Sequence, residues 1–371
     1  MINDRLFNKA NKLQDYHVFI DDVDLIKETI ISVEVSYKNN TPIVYSKVIF
    51  NDIYDMNLLR TWRNIEVQIS YIDIFDESIN KKFVILNVTE QYDDSFKKVL
   101  VLELQDKFSY VLENSYISKS FNDNPTSAFL AYAKELEIDA ISDLTLETTN
   151  VESTYNFVVP NNESNLSFFI KELYKHGYTF YQNKTSICVK SLSDLAPEIL
   201  PVNGLYLNET NNQLYQNKII SLISSLNNRS NILPKTRSVS FNSNTKSLEF
   251  GEDNDMTQYF LNSDPFDLQD SNGVRDVTQP HLDFNQHNLM MKESFLDQAE
   301  VEMIVNGYVK NDINQVYELQ LKGNLATANT QASGNLVMNG YYVCNKITDK
   351  IVGDSLLQKV SLHRSDLTSR V

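Results

Sequence analysis

Between Thr29 and Asp106, apolar and polar residues alternate with a period of two. Ile31, Val33 and Val35 form one run, Val44, Val48 and Phe50 the next, then Ile65, Val67 and Ile69, then Leu100, Leu102 and Leu104. That spacing predicts half-buried β-strands. Their alternates are polar, Ser32, Glu34 and Ser36 in one strand and Glu66, Gln68 and Ser70 in another. One dry face and one wet face is the behaviour of antiparallel sheet. Five or six strands within about 80 residues predict a small barrel or sandwich. Asp93-Asp94-Ser95 separates the runs at 83–90 and 97–105 and supplies the polar hairpin turn between them.

Near residue 122 the period changes. Asn124-Pro125-Thr126 offers a cap followed by a proline at the first helical position, and Phe129, Leu130, Ala133 and Leu136 then follow at helical spacing. A second helix is predicted from Ser164 as N-cap, with Leu166, Phe169, Ile170 and Leu173 on one face and His176-Gly177 as its stop. Residues 178–181, a Gln182-Asn183-Lys184 turn and residues 186–189 predict a strand hairpin. Around Lys218 to Leu226 the chain is rich in Asn and Ser, and Arg237-Ser238-Val239-Ser240-Phe241 alternates again. From Gly251 to Phe284 it is acidic and punctuated by Pro265, Gly273 and Pro280, the texture of a long insertion. A helix is predicted from about His287 to Gln298. Val301, Met303 and Val305, then Val316, Leu319 and Leu321, then Val337, Tyr341 and Val343, and finally Leu357, Val360 and Leu362 restore strands. Seven of the nine glycines stand at or beyond Gly251, matching a turn-rich second half.

The expected fold class is therefore α+β and mainly β: two similar small antiparallel β-barrels, an α/β module inserted between them and a long loop insertion in the second. The expected boundaries are 1–112 for the first barrel, 113–207 for the module, 208–250 with 296–371 for the second barrel, and 251–295 for the acidic insertion and helix. At 371 residues and 42.7 kDa, with 42% hydrophobic and 22% charged residues, the chain has core enough for two or three domains.

Composition narrows the chemistry. None of the nine glycines forms G-x-G-x-x-G or a phosphate loop, which argues against ordinary dinucleotide and nucleoside-triphosphate enzymes. Lys plus Arg is 33 against 49 Asp plus Glu, a net charge of −16, so the surface repels a phosphate backbone and stable nucleic-acid binding is not expected. Cys188 and Cys344 make no disulfide framework and lie at no zinc-ligand spacing; both read as buried small hydrophobes. The N-terminus lacks the apolar core of a signal peptide and no stretch approaches the ~20 apolar residues of a membrane span, so synthesis in the cytoplasm and no membrane insertion are expected.

No catalytic, cofactor or metal set emerges. His17, His176, His281, His287 and His363 are scattered, and the His281/His287 pair, six apart, does not share a helical face. Asp270-Ser271-Asn272-Gly273 imitates part of a calcium loop, but Leu268 and Gln279 occupy the two terminal ligand positions. Asp21-Asp22, Asp93-Asp94 and Glu252-Asp253 are acid pairs in apparent turns, the expectation in an acidic chain rather than glycosidase carboxylates. There is no Gly-x-Ser-x-Gly elbow. The lone Trp62, beside Arg60 and Arg63, is the weak mark of an alternative, an all-β carbohydrate-binding or adhesin-type protein of a virion.

Two segments carry a family resemblance. Ser164-Asn165-Leu166-Ser167-Phe168-Phe169-Ile170-Lys171-Glu172-Leu173, running on to His176-Gly177-Tyr178-Thr179-Phe180-Tyr181, resembles the helix-to-strand unit of the central hub proteins of phage tail baseplates. Gly340-Tyr341-Tyr342-Val343-Cys344-Asn345-Lys346-Ile347-Thr348-Asp349, with 357–364 after it, resembles that family's closing hairpin. The late-control D proteins and the N-terminal part of the VgrG spike of type VI secretion belong to the same group. Gly323 to Thr330 departs from the family's proline-glycine turn. The chain stops soon after Arg364, so the resemblance implies that the spike is a separate protein. It further implies a non-enzymatic homotrimer, a pseudo-six-fold ring that joins the tail tube protein or tube initiator to the spike among other baseplate proteins. Its place is the virion tail baseplate, its lumen is acidic, and the genome passes through only transiently.

Overall fold

In the computed structural model, residues 11–13, 15–53, 55–56, 62–63, 65–72, 78–116, 119–123, 127–129, 131–132, 145–148, 155–159, 163–175, 178–191, 203–207, 219–226, 235–242, 247–250, 254–255, 274–278, 299–305, 313–321 and 340–364 are described. The fold is mainly antiparallel β with few helices. Its first strands are β1 (Asn11–Lys12), β2 (Asp15–Ile20), β3 (Val23–Asp24), β4 (Ile30–Lys38), β5 (Tyr45–Asn51), β6 (Glu66–Ile72), β7 (Ser78–Tyr92) and β8 (Lys98–Asp106). Helix α1 (Lys107–Glu113) follows, then β9 (Lys119–Asp123), β10 (Thr145–Thr148), β11 (Tyr155–Val159), helix α2 (Asn165–Lys175), β12 (Tyr178–Gln182) and β13 (Ser186–Ser191). The rest are β14 (Asn203–Leu207), β15 (Ile219–Leu226), β16 (Lys235–Asn242), β17 (Ser247–Phe250), β18 (Asn254–Asp255), β19 (Val274–Thr278), β20 (Ala299–Val305), β21 (Val316–Leu321), β22 (Gly340–Val352) and β23 (Ser355–Arg364).

The alternating runs become strands with one buried edge of the alternation, as in β5, where Ser46, Val48 and Phe50 are buried and Tyr45, Lys47, Ile49 and Asn51 are not. The structure adds β2 and β3 ahead of the predicted start at Thr29. It also extends the second hairpin strand, β7, to 15 residues. Asp93 closes that hairpin as expected, its Oδ1 accepting the Ser95 and Lys97 N–H groups at 2.8 Å each.

The two strand sets form a single fourteen-stranded sheet, in the order β15-β20-β23-β22-β4-β5-β8-β7-β6-β2-β3, with β1 on β23 and β21 between β22 and β14. Among its described strands only β14 and β21 run parallel. The seam is β4 against β22, antiparallel from Lys346↔Lys38 to Ile351↔Val33. Bulges in β4, β7, β15 and β22 interrupt the ladders and bend and twist the strands that carry them. The core is shared as well, because Val33, Val35 and Tyr37 of β4 cluster with Ile347, Ile351 and Leu356 beyond the seam. Strands β16 to β19 make a separate four-stranded sheet in which β16 pairs with β19 of the acidic stretch.

The module has its own core. Ser164 Oγ accepts the Ser167 N–H at 3.2 Å, the N-cap contact predicted for α2. Leu166, Phe169 and Leu173 are buried on one helix face, with Phe129, Phe180, Ile187 and Val189 opposite. Phe129 meets Phe169 and Phe180 edge to face, with ring centroids 5.3 and 4.9 Å apart, a favoured geometry for aromatic pairs. Residues 127–129 and 131–132 are helical; the remainder of that predicted helix, its Asn124-Pro125-Thr126 start, His176-Gly177 and the predicted helix at 287–298 lie outside the described residues. The hairpin β12–β13 turns one residue later than expected, with the Asn183 N–H donating to Ser186 O at 2.8 Å. It is sandwiched: Phe180, Ile187 and Val189 face the module's core, while Tyr181 and Cys188 belong to the core of the large sheet.

Candidate functional site

The wet face of the large sheet carries an ordered pattern of charge. Across the strands Lys350 pairs with Glu34, Glu34 with Lys47, Lys47 with Glu103, and Glu103 with Asn87. Lys350 Nζ lies 2.5 Å from Glu34 Oε1, and Asn87 Nδ2 donates to Glu103 Oε2 at 3.3 Å. The neighbouring row joins the Ser36 and Thr348 hydroxyls at 3.0 Å. Toward β20 the pattern continues with Lys359 Nζ 2.9 Å from Glu302 Oε2 and the Ser361 hydroxyl donating to Glu300 Oε1 at 2.8 Å. From β20 to β8 the described charges of this face are Lys38, Lys47, Lys346, Lys350 and Lys359 against Glu34, Glu103, Glu300 and Glu302. Exposed pairs of this kind contribute about 0–1 kcal/mol each, so the pattern decides the potential of the surface more than the stability of the sheet.

Behind the seam lies a buried polar junction. Asp349 of β22 is fully buried; its carboxylate accepts the Tyr71 hydroxyl at 2.7 Å and Gln358 Nε2 at 3.0 Å, and Lys184 Nζ stands 3.3 Å away. Lys81 Nζ donates to Gln182 Oε1 at 3.1 Å and sits 5.2 Å from the centroid of the Tyr37 ring. Gln182 Nε2 in turn donates to Asp106 Oδ1 at 2.8 Å and to the Pro42 carbonyl. Asp106 also caps α1, taking the Ser109 N–H at 2.8 Å, and takes the Val44 N–H at 2.7 Å. Burial depresses the Lys81 pKa to about 8 against the pull of Asp106, and burial raises that of Asp106 despite its bonds to Ser109 and Val44. Burial, then the neighbouring Asp349, pushes Tyr37 and Tyr71 well above the usual phenol range.

Sequence reasoning gave none of these residues a place in a site, although a signal was present. Lys81 stands between Ile79 and Phe83, Asp349 between Ile347 and Ile351, and Gln358 between Leu356 and Val360, each a polar residue on the inward phase of a strand.

The two described histidines have separate partners. His17 is held at 2.9 Å from both Asp15 and Asp24, and His363 bonds Asn345 at 2.8 Å; His176, His281 and His287 lie outside the described residues. Among the described residues no cluster of His, Cys, Asp or Glu could hold a metal ion, and no helix is long and apolar enough to cross a membrane. Asp21-Asp22 and Asp93-Asp94 sit in turns, and both cysteines are buried and in no disulfide. Trp62 is half-buried and packs against the main core, which withdraws ring surface from a sugar-stacking platform. Arg60, the Glu252-Asp253 pair and the calcium-like run at 270–273 lie outside the described residues.

No protein-family model and no curated protein sequence matches the chain. Solved structures do match over almost its whole length. A tail protein from Neisseria meningitidis MC58 superposes with a TM-score of 0.61 at 9% identity over 95% of this chain and 98% of the other. The 43 kDa tail protein of prophage MuSo2 from Shewanella oneidensis gives 0.60 at 8% identity with the same coverage. An Escherichia coli component of the type VI secretion system, described as similar to the T4 bacteriophage tail proteins gp27 and gp5, gives 0.53 at 10% identity over 95% of this chain and 77% of its own. Identities this low carry fold and not activity. This chain therefore shares its fold with these tail proteins and with the type VI secretion component.

Proposed function

We propose that the chain is a structural hub of a phage tail baseplate or a tail-like injection device, a non-enzymatic homotrimer whose ring joins the tail tube to the central spike. The observation that carries this reading is the likeness to two tail proteins, one of them from a prophage, along 95% of the chain, with 98% of each of them covered. The continuous sheet supports it physically. Each chain contributes two strand sets joined at β4–β22, so three chains present six, which suits an adaptor between a six-fold tube and a three-fold spike. The proposed units are residues 1–112 and 208–250 with 296–371 as the tube-type lobes, 113–207 as the module and 251–295 as an insertion.

A tube wall needs one face toward water and one toward the core, and the large sheet has both. With a net charge of −16 on each chain, the assembled ring is acidic and the genome passes through its lumen without adhering. The partners are the tube protein or tube initiator, the spike and other baseplate proteins, and the chain works in the virion tail after synthesis in the host cytoplasm.

Light scattering on the size-exclusion peak of the purified chain, followed by negative-stain imaging, tests the assembly. The expected result is a particle of three times 42.7 kDa with a central hole. A particle that stays monomeric at every salt and protein concentration, alone and with its tube protein, overturns the ring.

A further inference from the structure

The turn of the β12–β13 hairpin enters the junction between the two strand sets, and the chemistry there is out of proportion to a loop. Gln182 reaches Asp106 of β8 at 2.8 Å and takes Lys81 of β7 at 3.1 Å. Two residues on, Lys184 Nζ approaches Asp349 of β22 at 3.3 Å although only 7% of Lys184 is exposed. Between them Asn183 Oδ1 accepts the Ile313 N–H at 3.2 Å, ahead of β21. One turn of the inserted module thus holds polar groups of each strand set. The hairpin is buried on both faces, so it leaves only by opening two cores at once.

A buried ion pair gives little net stability over an apolar pair of similar shape, because desolvation offsets the attraction. Its consequence is positional. Asp349 has two neutral donors, Tyr71 and Gln358, and Lys184 brings the cation. With the turn in place the carboxylate is neutralised; with the turn withdrawn it is a buried anion within the β4–β22 seam itself, at the pair with Val35. We infer that the β12–β13 turn is a charged key that locks the seam between the two strand sets, so that hairpin and seam open and close as one unit and any displacement of the α/β module is transmitted to the angle between the lobes. This coupling stands whether or not the chain assembles as a hub.

Native-state hydrogen exchange on the full chain tests it. In the wild type, amides of Tyr178–Gln182 and Ser186–Ser191 and those at 346–351 are expected to exchange through a common opening with one urea dependence. In Lys184→Met both groups are expected to lose protection together by at least tenfold, while β2, at the far end of the sheet, changes by less than twofold. Adding Asp349→Asn to that variant, which removes the stranded anion, should restore most of the loss at both places. Hairpin amides that open tenfold more often than the seam in the wild type overturn the coupling, and that arm needs no variant to fold. A fall confined to the hairpin in Lys184→Met overturns it as well, and so does an equal fall at β2, which would make Lys184 an ordinary stabilising residue.

Discussion

Asp21 and Asp22 occupy the two central positions of the tight turn between β2 and β3 with φ of 52° and 64°. Both lie in the left-handed region, which a two-residue hairpin of the favoured hand requires and which glycine enters at least cost. Asp22 is exposed, so its side chain contributes little packing in exchange. Asp22→Gly is expected to stabilise the protein by roughly 0.5–1 kcal/mol, seen as a higher urea midpoint at an unchanged slope; a lower midpoint would show that the carboxylate itself is needed. Sequence alone placed this acid pair in a turn, because paired aspartates between apolar runs have a local meaning. Asn314 had no such signal. It too is left-handed, at φ 64°, and its buried side-chain amide finds no partner among the described residues, a feature that depends on what the fold brings over it.

At the scale of elements, one end of the large sheet is the short strand β3, which pairs with β2 at two positions, Phe19↔Asp24 and Ile20↔Val23. A side-chain clamp reinforces it. His17 of β2 holds Asp24 of β3 through Nδ1 and Asp15 through Nε2, each at 2.9 Å, and Lys27 reaches back to Asp15. The bond to Asp24, then that to Asp15, raises the His17 pKa above its ordinary value, while Lys27 and then His17 hold Asp15 down at about 2. A histidine that binds its proton more tightly when folded stabilises the fold below its unfolded pKa of about 6.5, and that stability is lost as pH rises through the folded value. The stability difference between the wild type and His17→Gln should therefore be larger near about pH 5 than near about pH 9, read from urea midpoints at the two values. A difference independent of pH would mean that the ring acts by packing on Phe19, 5.7 Å away, and not by charge. The elements with local signals were legible in advance: the Asp93 turn, the Ser164 cap, the apolar face of α2. The β4–β22 seam was not, since its pairs are more than 300 residues apart and no local pattern encodes such a register. The buried junction fell between the two cases, visible as charges on the inward phase of strands but without partners until the seam brought them together.

For the whole molecule, a net charge of −16 says that DNA is repelled on average and leaves open where. The wet face of the large sheet is nearly balanced, its lysines and glutamates alternating along the row from Lys350 to Glu103. The excess of acid lies elsewhere, at turns such as Asp21-Asp22 and Asp93-Asp94 and in residues 251–295, where nine carboxylates face two basic residues in the sequence. A wall that is neutral by alternation has a consequence that bulk acidity does not, because removing its glutamates alone turns it basic. Changing Glu34, Glu103 and Glu302 together to Gln leaves Lys47, Lys350 and Lys359 without their register or ion-pair partners. These are exposed pairs, so each change costs about 1 kcal/mol or less and the fold survives. The parent protein is expected not to shift duplex DNA in a mobility assay at about 50 mM salt, and the triple variant is expected to shift it there and lose the shift by about 200 mM, the signature of phosphate contacts that release counterions. A variant as indifferent to DNA as its parent would place the control of DNA passage in the acidic turns and insertion, and would leave the alternating face the role of a solvated wall.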